Sequence, residues 1–344
     1  MIEVKKDNVL LKKTELSFEN EAVLNPATIC EGNMIHLFYR AVQKGNYSSI
    51  GYCKLKNPFK VTERLKEPIL SPEFDYESQG MEDPRIVKID DLYYLTYTAY
   101  DGKNALGALA TSKDLKHFKK EGIIVPQIKY SKFKRLVSKC KITPKYLEMN
   151  EAYPLLMVKD VIFFPRRIND KLCFLQRIKP DIQIVSVNNL EELTKEFWDN
   201  YFLNFEENIM LTSMHSHEIS YIGGGCPPIE TEHGWLVIYH GATSTLDGSY
   251  VYSACASLLD LDDPRKEIAR LPYKLFVPDQ EYELKGDVDK VVFPTGTILI
   301  KDTLFIYYGA ADERIAFASL SLSELLAELL SYTRTDVNNI MTNY

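Results

Sequence analysis

A short acidic stretch is the clearest candidate for chemistry in this chain. In QGMEDPRI (79–86), Glu82 and Asp83 precede a proline and an arginine, just ahead of the strand-like run IVKIDDLYYLTYTAY (86–100). A carboxyl group held in a fixed place can act as a general acid or base. The chain contains its own comparison, because DDPR recurs at 262–265, where Asp-Pro is typical of a turn between strands. The two copies must therefore differ in their surroundings.

The elements that must position these carboxylates are strands. Five segments share a turn-forming start, alternating apolar and aromatic residues, and a polar or small end: NMIHLFYRA (33–41), DLYYLTYTAY (91–100), DKLCFLQRI (170–178), HGWLVIYHGA (233–242) and DTLFIYYGAA (302–311). They recur about every 60–80 residues, and a second strand-like run follows each one. This repeat predicts an all-β fold, namely a five-bladed β-propeller with a central active-site cavity; a two-sheet sandwich is the alternative. In a propeller, the polar residues that close the five segments would converge: Arg40, Thr98, Arg177, His240, and Gly309 with Asp312.

A few peripheral helices complete the predicted architecture, which is one domain over residues 1–344. Helical spacing of apolar residues predicts helices over 189–201 and 321–332, the second with a serine cap. Residues 127–150 form a basic insertion with weak patterning. This insertion is either a solvated excursion between two blades or a rim element that shapes the entrance to the cavity.

Composition and charge exclude several classes of function. The net charge is -7 and there is no long basic run, so nucleic acid is not an expected partner. No apolar stretch has the length of a signal peptide or a membrane span, and the six scattered cysteines are typical of reduced thiols. We therefore expect a cytoplasmic protein that binds neither a membrane nor a metal; a homo-oligomer is possible.

Nine further motifs, in order along the chain, carry a resemblance to a known family. The pair GMEDPRI and YYLTYTAY resembles the signature of glycoside hydrolase family 130, the β-mannoside phosphorylases and their hydrolytic relatives. The other matching motifs are LNPATI (24–29), FYRA (38–41), FFPRRINDK (163–171), LQR (175–177), GGGCPPI (223–229), GWLVIYHGA (234–242), ASLLDLDDPRK (256–266), VVFPTG (291–296) and YYGAADERIAFA (307–318). The resemblance implies a five-bladed β-propeller, in agreement with the strand repeat.

The resemblance implies an inverting phosphorolysis. Phosphate attacks the anomeric carbon of a β-linked mannose, and α-mannose 1-phosphate and an acceptor sugar are released. Phosphate is already an anionic nucleophile, so the second carboxylate of an inverting hydrolase is not needed. Asp83 is implied as the general acid, acting through a mannose hydroxyl, and we expect its pKa to be raised by burial or by Glu82. Inorganic phosphate is the co-substrate, and no other cofactor is implied.

The resemblance also implies the binding residues. Those for phosphate are Arg177 and His240, with Lys159 and Tyr250 as weaker candidates. Those for the sugar are Asn25, Arg40, Glu82, Arg85, Tyr97 and Asp312. Arginine suits an oxyanion because its planar fork donates two hydrogen bonds, and a tyrosine ring can stack on a sugar face.

One departure from the family pattern keeps a second activity open. Phosphorylases of the family carry a lysine just before the GxGxPP stretch, whereas Tyr221 stands there in this chain. Hydrolytic members place carboxylates where phosphorylases have cations, and Glu218 or Glu151 could then activate water. The alternative to phosphorolysis is therefore a β-mannosidase on the same fold; a catalytically silent sugar-binding or protein-binding propeller is a third reading. The linkage and the acceptor sugar stay open.

Overall fold

The computed structural model describes residues 2–141, 144–148, 154–246 and 248–333, and these residues are mostly strand. Strand β1 (Lys5–Leu11) comes first in the chain and pairs with the last strand. The next eight strands form one sheet: β2 (Ala22–Glu31), β3 (Met34–Gln43), β4 (Tyr47–Asn57), β5 (Lys60–Arg64), β6 (Gly80–Ile89), β7 (Leu92–Tyr100), β8 (Ala105–Ser112) and β9 (Phe118–Ile123). This sheet is two antiparallel meanders of four strands, joined where Ser48 meets Gly80.

Three further sheets follow in chain order. The second sheet contains β10 (Lys159–Phe163), β11 (Leu172–Ile178), β12 (Asp181–Val187) and β13 (Ile209–Leu211). The third contains β14 (Tyr221–Gly224), β15 (Ile229–Thr231), β16 (Gly234–Ser244), β17 (Tyr250–Leu259) and β18 (Glu267–Arg270), with β14 and β15 pairing along the same edge of β16. The fourth contains β19 (Val292–Ile300), β20 (Thr303–Ala310) and β21 (Arg314–Ser321), and β1 completes it.

The strand repeat predicted from the sequence is confirmed. The five similar segments are β3, β7, β11, β16 and β20, and each is the second strand of an antiparallel meander. The run that follows each segment is the third strand, namely β4, β8, β12, β17 and β21. The described strands form four sheets and not two, so the sandwich alternative is wrong.

The helices lie outside the strand repeat. They are α1 (Tyr130–Val137), α2 (Lys195–Leu203), α3 (Glu281–Leu284) and α4 (Leu322–Leu330). The helix predicted over 189–201 begins only at Lys195, because the side chain of Thr194 caps it there by accepting from the Phe197 amide. The C-terminal helix agrees with its prediction, and Ser321 caps it. No helix in the described part of the chain is long and apolar enough to cross a bilayer.

The basic insertion is partly a packed helix. Phe133 of α1 is fully buried and meets Phe202 and Phe205 edge to face, at ring-centroid distances of 5.3 and 5.5 Å. The reading of the insertion as a solvated excursion is therefore wrong for α1, because one face of this helix belongs to the core. Residues 142, 143, 149 and 150 of the insertion lie outside the described residues.

The first strands of four meanders are irregular at a matching place. A shift of pairing register, typical of a β-bulge, occurs at Leu24–Ala27 of β2, Glu82–Arg85 of β6, Lys159–Ile162 of β10 and Pro294–Gly296 of β19. Three of these bulges contain an Asn or Asp at positive φ: Asn25 at 49°, Asp83 at 50° and Asp160 at 53°. Asn and Asp tolerate this conformation better than most residues.

The two Asp-Pro-Arg copies differ in secondary structure. EDPR lies within β6, so this copy is a bulge inside a strand and not a turn. DDPR lies between β17 and β18, where the Lys266 amide donates to the Asp263 carbonyl at 2.9 Å, and this copy is the turn that was predicted. The same four-residue pattern is thus used in two structural settings.

Candidate active site

Asp83 lies at the bulge of β6, and groups from three other strands surround its carboxylate. The Asn25 amide, from β2, donates to Asp83 Oδ1 at 2.7 Å. Arg40 of β3 and Lys159 of β10 approach the two carboxylate oxygens at 3.8 and 4.0 Å. The structure therefore brings three of the predicted binding residues to the predicted acid.

Glu82 pairs with the same two cations. Arg40 Nη2 lies 2.9 Å from Glu82 Oε1, and Lys159 Nζ lies 3.0 Å from Oε2. All three side chains are largely buried, so solvent screens these ion pairs only weakly. Glu82 thus holds both cations beside Asp83.

The charges around Asp83 decide its protonation. Burial raises the pKa of Asp83, but the charges of Lys159, Arg40 and Arg85 outweigh burial and hold the pKa below its ordinary value. The expectation of a raised pKa is therefore wrong for the protein alone. That expectation took into account burial and the charge of Glu82, but not the cations that neighbouring strands bring to Asp83.

Asp312 is the carboxyl of the site with a strongly raised pKa. It follows β20 in a left-handed conformation, φ 50°, and lines a cavity of about 240 Å³ together with Arg40 and Asp287. Burial raises the pKa of Asp312 to about 7, and the negative charge of Asp83 adds to this effect. Near neutral pH, Asp312 therefore retains a proton much of the time.

A second group, from two adjacent meanders, lies next to Lys159. Arg177 of β11 is paired in register with Lys159 and is 7% exposed. Its Nη1 lies 3.2 Å from Asp160 Oδ2 and 3.3 Å from His240 Nε2. Arg177 is therefore a buried residue that contacts both a carboxylate and an imidazole, and not a surface ion-pair residue.

His240 is uncharged in this setting. Burial lowers its pKa far below the ordinary value, and the charges of Arg177, Arg85 and Lys179 lower it further. An arginine can only donate, so His240 Nε2 must accept from Arg177, and the ring proton is assigned to Nδ1.

Three tyrosines flank this cationic group. Tyr221 lies where the family lysine was expected, and its hydroxyl is 2.6 Å from that of Tyr252. The Tyr250 ring packs on Tyr221 at a centroid distance of 5.7 Å, and Tyr250 is 37% exposed at the start of β17. The predicted phosphate residue Tyr250 is thus more exposed than Tyr252, two residues further along β17.

Arg85 contacts backbone. Its Nη1 donates to the carbonyls of Asp83 and Pro84 at 2.9 and 3.1 Å, and its Nε donates to the Gly225 carbonyl. These bonds fix the bulge that presents Asp83 and connect it to the residue after β14. The structure therefore gives Arg85 a positioning role at the bulge, and the sugar contact expected of it stays a prediction.

One predicted sugar-binding residue, Tyr97, lies away from the site. Tyr97 is buried in the core and donates to Glu77 Oε1 at 2.5 Å, so its prediction as a stacking platform is wrong. Side chains alternate along a strand, and the neighbours of Tyr97 on the opposite face are Thr96 and Thr98. Thr96 donates to the backbone of β10, at Val161.

Glu218 is a structural residue. Its Oε2 accepts from the amides of Met214 and His215 and from Arg270 Nη1, and its Oε1 accepts from Tyr239. Its prediction as a base is therefore wrong, because every described contact ties it to a buried network. Glu218 also lies close enough to His217 and Cys255 for the three to share a metal ion, but its oxygens are already engaged. Glu151 lies outside the described residues.

Unsatisfied polar atoms concentrate at the site. Six buried side-chain atoms have no hydrogen-bond partner among the described residues, and four of them belong to site residues: Asn25 Oδ1, Arg85 Nη2, His240 Nδ1 and Asp160 Oδ2, the last of which has only its ion pair with Arg177. Buried polar groups are normally paired, so a cluster of unpaired ones indicates room for the polar atoms of a ligand.

Two residues of the site were missed by the sequence reasoning. Asp160 occupies the bulge of β10, equivalent to Asn25 and Asp83, and an Asn or Asp at the matching place of three first strands was a signal available in the sequence. Lys179 follows β11, and its ammonium lies 3.7 Å from the centre of the Tyr221 ring. The structure thus defines a β-rich chain with a carboxylate and cation site where its first strands meet.

Comparison with known proteins identifies the family. A family model described as beta-1,4-mannooligosaccharide phosphorylase, glycoside hydrolase family 130, matches residues 4–330. The 1,2-beta-oligomannan phosphorylase of Thermoanaerobacter sp. (strain X514) is 34% identical over 327 residues, which cover 92% of this chain and 96% of the relative. A beta-1,2-mannobiose phosphorylase of the same organism is 34% identical over 320 residues, covering 88% of this chain and 91% of the relative. The chain therefore belongs to glycoside hydrolase family 130.

A solved structure shows the same fold. The beta-1,2-mannobiose phosphorylase from Listeria innocua, in complex with beta-1,2-mannobiose, superposes with a TM-score of 0.71. The superposition covers 95% of this chain and 99% of the other at 24% sequence identity.

Proposed function

We propose that this protein is an inverting β-mannoside phosphorylase, which converts a β-linked mannoside and inorganic phosphate into α-mannose 1-phosphate and an acceptor sugar. The observation that carries the proposal is the match over nearly the whole chain to relatives named as mannoside phosphorylases. The site supports it independently, since Asp83 stands at a bulge with the cations Arg40 and Lys159 beside it.

The architecture we propose is a five-bladed β-propeller with the site on its axis. Five contacts connect the first strands of the meanders in a closed ring: Asn25 to Asp83, Glu82 to Lys159, Asp160 beside Gly223, Gly225 beside Pro294, and Thr295 to Pro26. At Gly223, a Cβ would lie 2.5 Å from Asp160 Oδ2 and His240 Nε2, so a side chain there would close this part of the site. Such a ring is the geometry of a propeller axis.

Asp83 acts as the general acid in this proposal. The bond from the anomeric carbon to the leaving oxygen breaks, a bond to a phosphate oxygen forms on the opposite face, and the leaving oxygen gains a proton that originates on Asp83 and passes through a mannose hydroxyl. Asn25, Arg40 and Asp312 face the sugar. Arg85 and Glu82 hold the acid and its cations in place.

Phosphate binding would prepare the acid. We assign phosphate to Arg177, His240 and Lys159, and a dianion there offsets the positive field that keeps Asp83 ionised. Because Lys159 is the cation that lowers the pKa of Asp83 most, its engagement by phosphate raises that pKa toward the value a proton donor needs.

The linkage we propose is β-1,2. The two relatives that are 34% identical carry β-1,2 substrates in their names, whereas the family model is described by a β-1,4 activity. The residues that would select the acceptor lie at the rim of the cavity, where Asn46 and Asp287 accompany Arg40.

Product analysis tests the proposal. The protein is incubated with β-1,2-, β-1,3- or β-1,4-mannobiose, with and without inorganic phosphate, and the products are separated by anion-exchange chromatography. We expect mannose 1-phosphate from the β-1,2 substrate, and only when phosphate is present. Free mannose released at the same rate without phosphate would refute phosphorolysis and identify a β-mannosidase.

A further inference from the structure

Lys179 is a cation of this site that has no assigned role. It follows β11 two residues after Arg177, and its ammonium lies 3.7 Å from the centre of the Tyr221 ring and 5.9 Å from that of Tyr250. Lys179 is half-buried, and no carboxylate within ion-pair distance of it occurs among the described residues. Its counter-charge must therefore come from elsewhere or be lacking.

The surroundings of Lys179 disfavour a positive charge. Burial lowers its pKa to about 7, and the charges of Arg177 and Lys159 contribute to this shift while Asp160 opposes it. Lys179 in turn lowers the pKa of His240, so its charge acts on the group that holds Arg177. A lysine placed among other cations without a counter-ion is typical of a site that an anion completes.

We propose that the Lys179 ammonium binds the phosphate of the reaction and supplies, from the end of β11, the charge that the family pattern places at residue 221. This inference rests on the proposed phosphorolysis. The face of the Tyr221 ring holds the ammonium by a cation–π contact, and the hydroxyl bond to Tyr252 fixes the ring. In this proposal, the Tyr221 ring supports the Lys179 ammonium, so the absence of a lysine at residue 221 does not remove the positive charge that binds phosphate.

Kinetics of a Lys179→Gln variant test this role. Losing one charged hydrogen bond to phosphate should raise the KM for phosphate about 10- to 100-fold, while the KM for the mannoside stays within about twofold. The matched control is Lys171→Gln, which removes an exposed lysine just before the same strand and should change neither constant. The reverse reaction should show the same selectivity for mannose 1-phosphate.

A pH profile separates charge from structure. The ratio of the phosphate KM of Lys179→Gln to that of the wild type cancels the ionisation of phosphate, which is common to both. This ratio should be largest near pH 6 and fall above pH 7, as Lys179 loses its proton in the free enzyme. The groups that face Lys179 and accompany its titration are Arg177, Lys159, Asp160, His240, Tyr221 and Tyr250.

The outcomes distinguish the two proposals. If the wild-type protein releases mannose without phosphate, the proposed function fails and the role of Lys179 fails with it. If turnover requires phosphate but Lys179→Gln has the phosphate KM of Lys171→Gln, only the role of Lys179 is overturned. An equal rise in both KM values, or a ratio that does not change with pH, would show a structural effect and would also overturn it.

Discussion

Replacing Asp312 by Asn should make the protein more stable at alkaline pH. In the folded chain burial and the charge of Asp83 raise the pKa of Asp312 from 3.8 to about 7. Folding therefore favours the protonated form, and stability is lost as pH rises from the unfolded value through the folded one. An asparagine is neutral at every pH and nearly the same shape as the protonated acid.

The size of the effect follows from the two pKa values. Between pH 5 and pH 8 the unfolded chain is already ionised at this position, whereas the folded chain keeps the proton until about pH 7. At 1.36 kcal/mol per pKa unit, the wild type loses ~3 kcal/mol over this interval. This figure is an upper bound, because Asp312 lines an open cavity and solvent screens part of the interaction.

Thermal denaturation at the two pH values measures the effect. The unfolding entropy of 344 residues is ~0.7 kcal/mol/K, so ~3 kcal/mol corresponds to ~4 °C in Tm. We expect the Tm of Asp312→Asn, minus that of the wild type, to increase by up to this amount from pH 5 to pH 8. The other titrating groups are present in both proteins, so their effects on Tm cancel when the wild-type Tm is subtracted from that of the variant. A difference that is constant or that decreases with pH would refute the burial and charge argument.

Three further predictions concern the roles of single side chains. Asp83→Asn should reduce kcat by about 10²–10⁴-fold while the circular dichroism spectrum is retained, and a variant with most of the wild-type kcat would contradict its role as the acid. Arg177→Gln should raise the phosphate KM more than the mannoside KM in steady-state assays, because a bidentate donor to an oxyanion is lost; equal effects would contradict a phosphate site. Glu218→Gln should lower the free energy of unfolding by about 1–3 kcal/mol, because the buried Arg270 keeps only Glu267 as a counter-charge, yet turnover per folded molecule should be unchanged in an activity assay corrected by denaturation curves. Lost turnover would instead restore Glu218 as a catalytic base.

The strand repeat could be predicted because its signal lies in short stretches of the sequence. Alternation of apolar and aromatic residues with a turn residue at each start is a property of neighbouring positions, and all five predicted segments are strands. The helix start at Lys195 and the packing of α1 were harder to predict from the sequence. Both depend on tertiary contacts, such as Phe133 against Phe202, that no local pattern encodes.

Most residues of the candidate site could be predicted from the sequence, but their protonation states could not. Arg40, Arg177, His240 and Asp312 were singled out from strand ends, and the structure brings them to two adjoining groups around Lys159. The protonation states could not be predicted, since the pKa of Asp83 depends on cations from β3 and β10 that are distant in sequence. Tyr97 failed for another reason, because a tyrosine on the apolar face of a strand has the same local pattern as one on the cavity face.

Asp83 and Asp263 stand in the same Asp-Pro-Arg sequence but differ in where the counter-charge of the carboxylate comes from. In the exposed turn, Arg265 Nε binds its own neighbour Asp263 at 2.7 Å, so the charges are satisfied locally. At the bulge, Arg85 turns to backbone carbonyls, and the charge of Asp83 is left to Arg40 and Lys159, which come from other strands. Since these cations also hold Glu82 and lie beside the proposed phosphate pocket, any anion that enters changes the protonation of Asp83. In the proposed mechanism, the bulge would thereby couple phosphate binding to the protonation of Asp83, which a turn with its own local counter-ion could not do.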